Sequence, residues 1–262
     1  MKKKLVVCGD SWFSSDTRYP GLSFPELLAN KKNWELISLA RGGCSNFAIV
    51  LQIKKAIELK ADIIIIGATS PDRIEIPIRQ EKNKSVWEKI KSNWSFDNWV
   101  FCQPNVYKSR RGLSNILYHR PVDLSNQHKF LKNPTIISES INNILFTKKH
   151  NKLDDEQIKC LKLYVLNLYD SEIKKQYDSW IISNACREIF DKKIPFLLSV
   201  AQLLPSDSFF WLSEDYNLDT NNRSFVIHSH DPSTDHIFHY NVEHGKKIMK
   251  YIEEKITKLK IN

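Results

Sequence analysis

Four consecutive isoleucines, Ile63 to Ile66, lie inside the segment Asp62–Ala68 and run into Gly67. An apolar run without polar alternation has both of its faces covered. That is the pattern of an inner strand in a parallel sheet with helices above and below it. The flanking sequence agrees. Lys4–Cys8 is a short apolar run that stops at Gly9-Asp10-Ser11, and Glu35–Ala40 is another that stops at Gly42-Gly43. Phe24–Lys31 reads as a short helix, with Ser23 as its candidate N-cap and Pro25 in its first turn. Asn46–Lys60 carries Phe47, Val50, Leu51, Lys54 and Ile57 at helical spacing. Strand, helix, strand, helix, strand with short connections predicts a doubly wound α/β sheet.

The rhythm breaks after Glu75. From about residue 73 to 151 the βα alternation stops, and the stretch holds Trp87, Trp94, Trp99 and the basic pairs Arg110-Arg111 and Lys148-Lys149. A structureless loop of that length does not suit a compact domain, so the stretch is expected to be a mainly helical insertion at the sheet edge. Asp154–Lys192 reads as a long helical region that includes Tyr177, Ile181, Ile182, Ala185 and Ile189. Ile194–Ala201 is another buried strand, a loop-rich stretch runs to His239, and an amphipathic helix over Val242–Leu259 closes the chain. The expected fold is a single domain over residues 1–262. It is flavodoxin-like, a three-layer α/β/α arrangement with a mostly parallel central sheet, plus the insertion at about 73–151.

Composition removes several classes. Aromatic residues make up 11% and glycines number 7 in 262 residues, which is incompatible with a disordered or collagen-like chain. The longest apolar runs fall far short of the ~20 residues a bilayer requires, so no membrane partner is expected. The start, Met1-Lys-Lys-Lys-Leu-Val-Val-Cys8, has too short an apolar run for an export signal, and a cytoplasmic location is expected. Cys8, Cys44, Cys102, Cys160 and Cys186 are odd in number and lack a C-x-x-C pair, which points to reduced thiols rather than a disulfide framework or structural zinc. Lys+Arg number 39 against 30 Asp+Glu, a formal charge of +9. Lys, Asn and Ile are all abundant, as A+T-rich coding would produce. No compact basic motif accompanies the charge, so nucleic acid is not the expected partner. The sequence leaves the oligomeric state open.

In open α/β sheets ligands bind at the carboxyl ends of the strands. The turns expected there are Gly9-Asp10-Ser11, Ala40–Asn46, Gly67–Ser70 and the stretch from Val200 onward, so Ser11, Gly43 and Thr69 are brought toward one edge. The segment His228-Ser-His-Asp-Pro-Ser-Thr-Asp-His-Ile-Phe-His239 is the densest chemistry in the chain. Two mechanisms suit it. In a Ser–His–Asp relay His239 takes the Ser11 proton and a nearby aspartate orients the imidazole. Alternatively His228, His230, Asp231, Asp235, His236 or His239 bind a metal.

These residues together resemble the SGNH (GDSL-like) hydrolases. Gly9-Asp10-Ser11 matches that family's first block, Ala40-Arg-Gly-Gly-Cys-Ser-Asn46 is similar to its second, and Asp235-His-Ile-Phe-His239 before the last helix is similar to its final one. The resemblance implies Ser11 as nucleophile, His239 as general base and acid, and Asp235 as the acid of the triad. It implies an oxyanion hole from Ser11, Gly43 and Thr69, with Asp10, Trp12, Asn46 and His236 expected around the pocket. Arg73 is expected there too, from Ser70–Glu75 where the insertion without family counterpart leaves the active edge, the alternative being a surface salt bridge of Arg73 and Glu75. It requires no metal or cofactor. Two positions depart from the family pattern. Gly67-Ala-Thr-Ser70 has Thr69 where the family has an oxyanion-binding Asn, and three residues rather than two separate Asp235 from His239, which leaves Asp231 or His236 as alternatives. The substrate implied is a small-molecule or carbohydrate ester. The alternatives are a glycan- or anion-binding protein on a degenerate scaffold, and a metal-dependent hydrolase built on the His/Asp cluster.

Overall fold

The structure is a computed structural model, described over residues 2–15, 20–41, 43–77, 136–140, 145, 155–200, 203–219 and 242–259. The described elements run β1 (Lys4–Cys8), α1 (Phe24–Lys32), β2 (Glu35–Ser38), α2 (Asn46–Glu58), β3 (Ile63–Gly67), β4 (Arg73–Pro77), β5 (Ile136–Ser140), α3 (Asp155–Asn167), α4 (Ser171–Asp191), β6 (Phe196–Ser199) and α5 (Val242–Lys258). β1 pairs in parallel with β2 on one side and β3 on the other, and β6 adds in parallel beyond β3. The sheet order is therefore β2-β1-β3-β6. This is the α/β class with a parallel sheet that the isoleucine run predicts.

Strand residues alternate between two cores. Val6, Cys8, Ile64, Ile66, Phe196 and Leu198 face α2 and α4, where Ala48, Ile49, Ile53, Ile182, Cys186 and Ile189 meet them. Leu5, Val7, Ile63, Ile65 and Leu197 face α1 and α5 and pack on Phe24, Leu28, Ile248, Ile252 and Ile256. The four isoleucines are thus split two and two between the layers, and all four are fully buried. Each such side chain contributes roughly 1.5–3 kcal/mol of transfer free energy, which is why this run fixes the layer order.

Helix ends follow local chemistry. The Glu26 carboxylate accepts the Ser23 N–H at 3.1 Å, with Pro25 in the first turn, and Asn33 closes α1 in the left-handed conformation. Lys31 and Lys32 at the other end reach Glu253 of α5 at 2.6 and 3.2 Å. The helical region expected as one piece over Asp154–Lys192 is two helices. Asp170 interrupts it, because its carboxylate accepts the N–H groups of Glu172 and Ile173 and so starts α4 anew. The helix α4 turns one face to the core. Asp178, Ser179, Ile182, Ala185, Cys186 and Ile189 are buried, whereas Tyr177 is exposed.

The ends of the insertion form a ribbon. β4 pairs antiparallel with β5, with Arg73 opposite Ser140 and Pro77 opposite Ile136. Arg73-Ile74-Glu75-Ile76 alternates polar and apolar residues at the period of a strand, a signal available in the sequence. The rest of the expected insertion, residues 78–135, 141–144 and 146–151, lies outside the described residues. Among the described residues no helix is long and apolar enough to cross a membrane.

Candidate functional site

The sheet order places a topological switch point between β1 and β3, since the chain leaves β1 toward β2 and returns on its other side. Ligands of open α/β sheets bind outside such a point. At the carboxyl end of β1, Asp10 turns the chain. Its Oδ1 accepts the Trp12 N–H at 2.9 Å, and its carbonyl accepts the Phe13 N–H at 3.1 Å. An aspartate that accepts an amide two residues on is a self-templating turn. It holds Ser11, which is half-buried, at the apex, and Ser14 Oγ donates to the Ser11 carbonyl at 3.1 Å.

The outer oxygen of Asp10 ties the other two loops to this turn. Thr69 Oγ1, just past β3, donates to Asp10 Oδ2 at 2.7 Å. Arg73 Nη1 donates to the same oxygen at 3.0 Å and to the Cys44 carbonyl, past β2, at 2.9 Å. The Arg41 N–H adds a bond to the Gly9 carbonyl at 2.9 Å. Gly43, with φ of 79°, lies in the same β2 loop and uses a conformation that costs an L-residue. Three strand ends therefore meet around one carboxylate that is 3% exposed.

A further set of buried bonds stands behind these loops. Asn46, fully buried at the start of α2, donates Nδ2 to the Thr69 carbonyl at 2.9 Å and to Asp178 Oδ2 at 3.0 Å, while its Oδ1 accepts the Thr69 N–H at 2.9 Å. Asp178 Oδ1 accepts from Lys174 Nζ at 2.5 Å, and Lys174 also approaches Glu75 at 3.7 Å. Glu75 in turn accepts the Phe47 N–H at 3.3 Å. Burial pushes Asp178 up from its ordinary 3.8 to about 6, against the opposing pull of Lys174 and Asn46. Burial, with the Asp178 charge adding to it, raises the Tyr169 phenol to about 12, and burial lowers the Arg41 guanidinium to about 10, so Arg41 is still a cation at neutral pH.

The Asp178 shift has a stability consequence of definite sign. The folded chain holds this proton up to about pH 6, whereas an unfolded aspartate releases it near 3.8. Its stabilising contribution is therefore complete below about pH 4 and is lost as pH rises through 6, by on the order of 3 kcal/mol. In urea unfolding between pH 4 and 7, Asp178→Asn is expected to remove this component. The difference in stability between wild type and variant therefore changes across that window. A constant difference across it refutes the assignment.

The expected site residues separate into three groups. Ser11, Gly43 and Arg73 lie on the joined loops, and Trp12 packs partly buried against the α1–α5 core. Asp10 and Asn46, expected to line a pocket, are instead buried struts whose polar atoms bond to the protein. Thr69 is expected as an oxyanion donor. It owns one hydroxyl proton and one amide proton, and these go to Asp10 and Asn46. Asp231, Asp235, His236 and His239, with His228, His230 and Gly42, lie outside the described residues. Cys8, Cys160 and Cys186 are free thiols, while Cys44 is disulfide-bonded, contrary to the expectation of reduced thiols throughout. Gln52 and Asp178 were not singled out from sequence. Gln52 is buried in α2 and accepts the Gly9 N–H at 2.6 Å. Both sit in otherwise apolar stripes, Ile49-Gln52-Ile53-Ala56 and Asp178-Ile182-Ala185-Ile189, and a polar side chain in such a stripe is the signal that finds them.

No family model and no curated protein matches the chain. Among solved structures it is similar, at 11% identity and a TM-score of 0.31, to one described as a lipolytic-type protein of the G-D-S-L family from Desulfitobacterium hafniense DCB-2. That match covers 97% of this chain and 99% of the other.

Proposed function

We propose that this chain is a serine hydrolase of the SGNH type that cleaves an ester or acetyl group by acyl transfer to water, on a small-molecule or carbohydrate substrate. Ser11 is the nucleophile, His239 the general base and then the general acid, and Asp235 the residue that orients the imidazole. The observation that carries this reading is the placement of the Ser11 turn at the β1/β3 switch point, with the β3 loop bonded to the neighbouring Asp10 through Thr69 and the β2 loop linked to it through Arg73. The mechanism calls on no metal or organic cofactor. Because the Thr69 hydroxyl is committed to Asp10, the oxyanion is met by the main-chain N–H groups of Ser11 and Gly43. Loss of one well-placed donor typically costs about 10²–10³ in rate, so turnover below that of a three-donor site is expected.

Ser11→Ala tests the assignment. Hydrolysis of p-nitrophenyl acetate is expected to fall by about 10³-fold or more while the melting temperature stays within a degree or two, because a half-exposed hydroxyl contributes little to packing. Undiminished turnover in that variant sinks the reading. The commitment of Thr69 also favours a second reading, a non-hydrolysing glycan- or anion-binding protein on the same scaffold. That reading predicts no turnover by the wild type together with retention on an immobilised glycan.

A further inference from the structure

A continuous hydrogen-bonded chain runs from the interior of α4 to the residue beside Ser11. It passes from Asp178 Oδ2 to Asn46 Nδ2, from the Asn46 carboxamide to both main-chain groups of Thr69, from Thr69 Oγ1 to Asp10 Oδ2, and from Asp10 Oδ1 to the Trp12 N–H. Every link is 3.0 Å or shorter, and Asp178, Asn46, Thr69 and Asp10 are each at most 3% exposed. Water does not compete for these bonds, so a change at one end is passed along by rearrangement of the others.

We propose that Asp178 is a positioning residue for the Ser11 turn, acting through Asn46, Thr69 and Asp10. The inference rests on the hydrolase reading for its functional meaning, but the coupling itself does not. The Asn46 carboxamide has two Nδ2 protons. One secures the Thr69 carbonyl and the other requires an acceptor, which the ionised Asp178 supplies as a charge-assisted partner. Protonation of Asp178 forces its carboxyl to give up part of its contact with either Lys174 or Asn46, since both of its oxygens accept. The charged and titratable groups facing it are Lys174 on its own helix, Glu75 from β4, and Tyr169 from the segment before α4, with neutral Asn46 from α2. Burial and the Glu75 charge oppose ionisation, Lys174 is the counterion that favours it, and Tyr169 is a neutral phenol throughout this range. The prediction is therefore that the geometry of the β3 loop and the Ser11 turn depends on the protonation state of Asp178.

Amide NMR across pH 4.5 to 7.5 tests this on the full chain. In the wild type, the main-chain amides of Thr69 and Trp12 and the side-chain amide of Asn46 are expected to shift together with a midpoint of about 6. In Asp178→Asn that common titration is lost. In Lys174→Met, which keeps the aspartate, the midpoint rises by about one pH unit or more, because the opposite charge is gone. Absence of the common titration in the wild type overturns the proposal, as does its persistence in Asp178→Asn or an unmoved midpoint in Lys174→Met. The functional arm is a kcat against KM split on p-nitrophenyl acetate. Asp178→Asn is expected to lower kcat about tenfold with KM nearly unchanged, and a loss confined to KM overturns the positioning role. Failure of the hydrolase reading is registered separately by Ser11→Ala, and leaves the NMR result to decide the coupling.

Discussion

Gly67→Ala is expected to destabilise the protein by about 3 kcal/mol and to abolish whatever the site does. A Cβ on Gly67 falls 1.8 Å from Phe13 Cε2, 2.2 Å from Cδ2 and 2.4 Å from Cζ. These separations are about half of an ordinary carbon–carbon contact. The ring cannot step aside, because Phe13 is 2% exposed and packs edge-on against Phe24 with centroids 5.8 Å apart. Phe13 lies two residues beyond Ser11, so any relief of the clash moves the Ser11 turn. Denaturant unfolding measures the first effect. The cause is checked by pairing the change with Phe13→Ala, which alone costs about 3–5 kcal/mol as a cavity. If the ring is the obstacle, the double variant is less damaged than the sum of the singles by more than about 1 kcal/mol. Additive losses refute the clash as the cause.

Asp10→Ala is expected to cost about 3–5 kcal/mol, the range found when one partner of a buried ion pair is removed. The change leaves Arg73, whose side chain is 17% exposed, without its carboxylate partner among the described residues, and it removes the acceptor of the Thr69 hydroxyl and of the Trp12 amide. Asp10→Asn keeps an acceptor for Trp12 and the shape of the turn, so it is expected to lose less. Arg73→Met in the Asp10→Ala background is expected to recover part of the loss, because the stranded charge goes with it. Melting temperature and urea midpoint both report this. If Asp10→Ala proves as mild as an ordinary surface substitution, within about 0.5 kcal/mol, the carboxylate does not hold the loops together.

The sheet was legible because its signal is local. A run of isoleucines can be read without knowing what lies opposite, and Ile63 to Ile66 indicate the parallel, doubly covered strand directly. The break between α3 and α4 was less legible, since Asp170 acts as a cap only once its side chain turns back on Glu172 and Ile173. The site was legible as a set of turns but not as a network. Ser11, Gly43 and Arg73 were named from their position after strands. The partner of Arg73, however, is Asp10, and the partner of Asn46 is Asp178, 132 residues further along. Pairings at such separations leave no mark on spacing. The bonds of Thr69 are hidden from the sequence for the same reason. A threonine at a strand end looks like a free donor until the acceptor for its proton is found on another strand.

The antiparallel ribbon of β4 and β5 has a consequence for how freely this chain can vary. Pro77 and Ile136 stand opposite one another, so the chain departs from the core and returns to it at neighbouring points. The two ends of the intervening sequence are thus held side by side. The entropy of closing such a loop grows only with the logarithm of its length, and a doubling costs about 0.6 kcal/mol. A change in the length of such a connection therefore adds little to the entropic cost of closing the ribbon. Yet the ribbon begins at Arg73, the residue bonded to Asp10. The point at which the chain leaves the core is thus tied directly to the Ser11 turn.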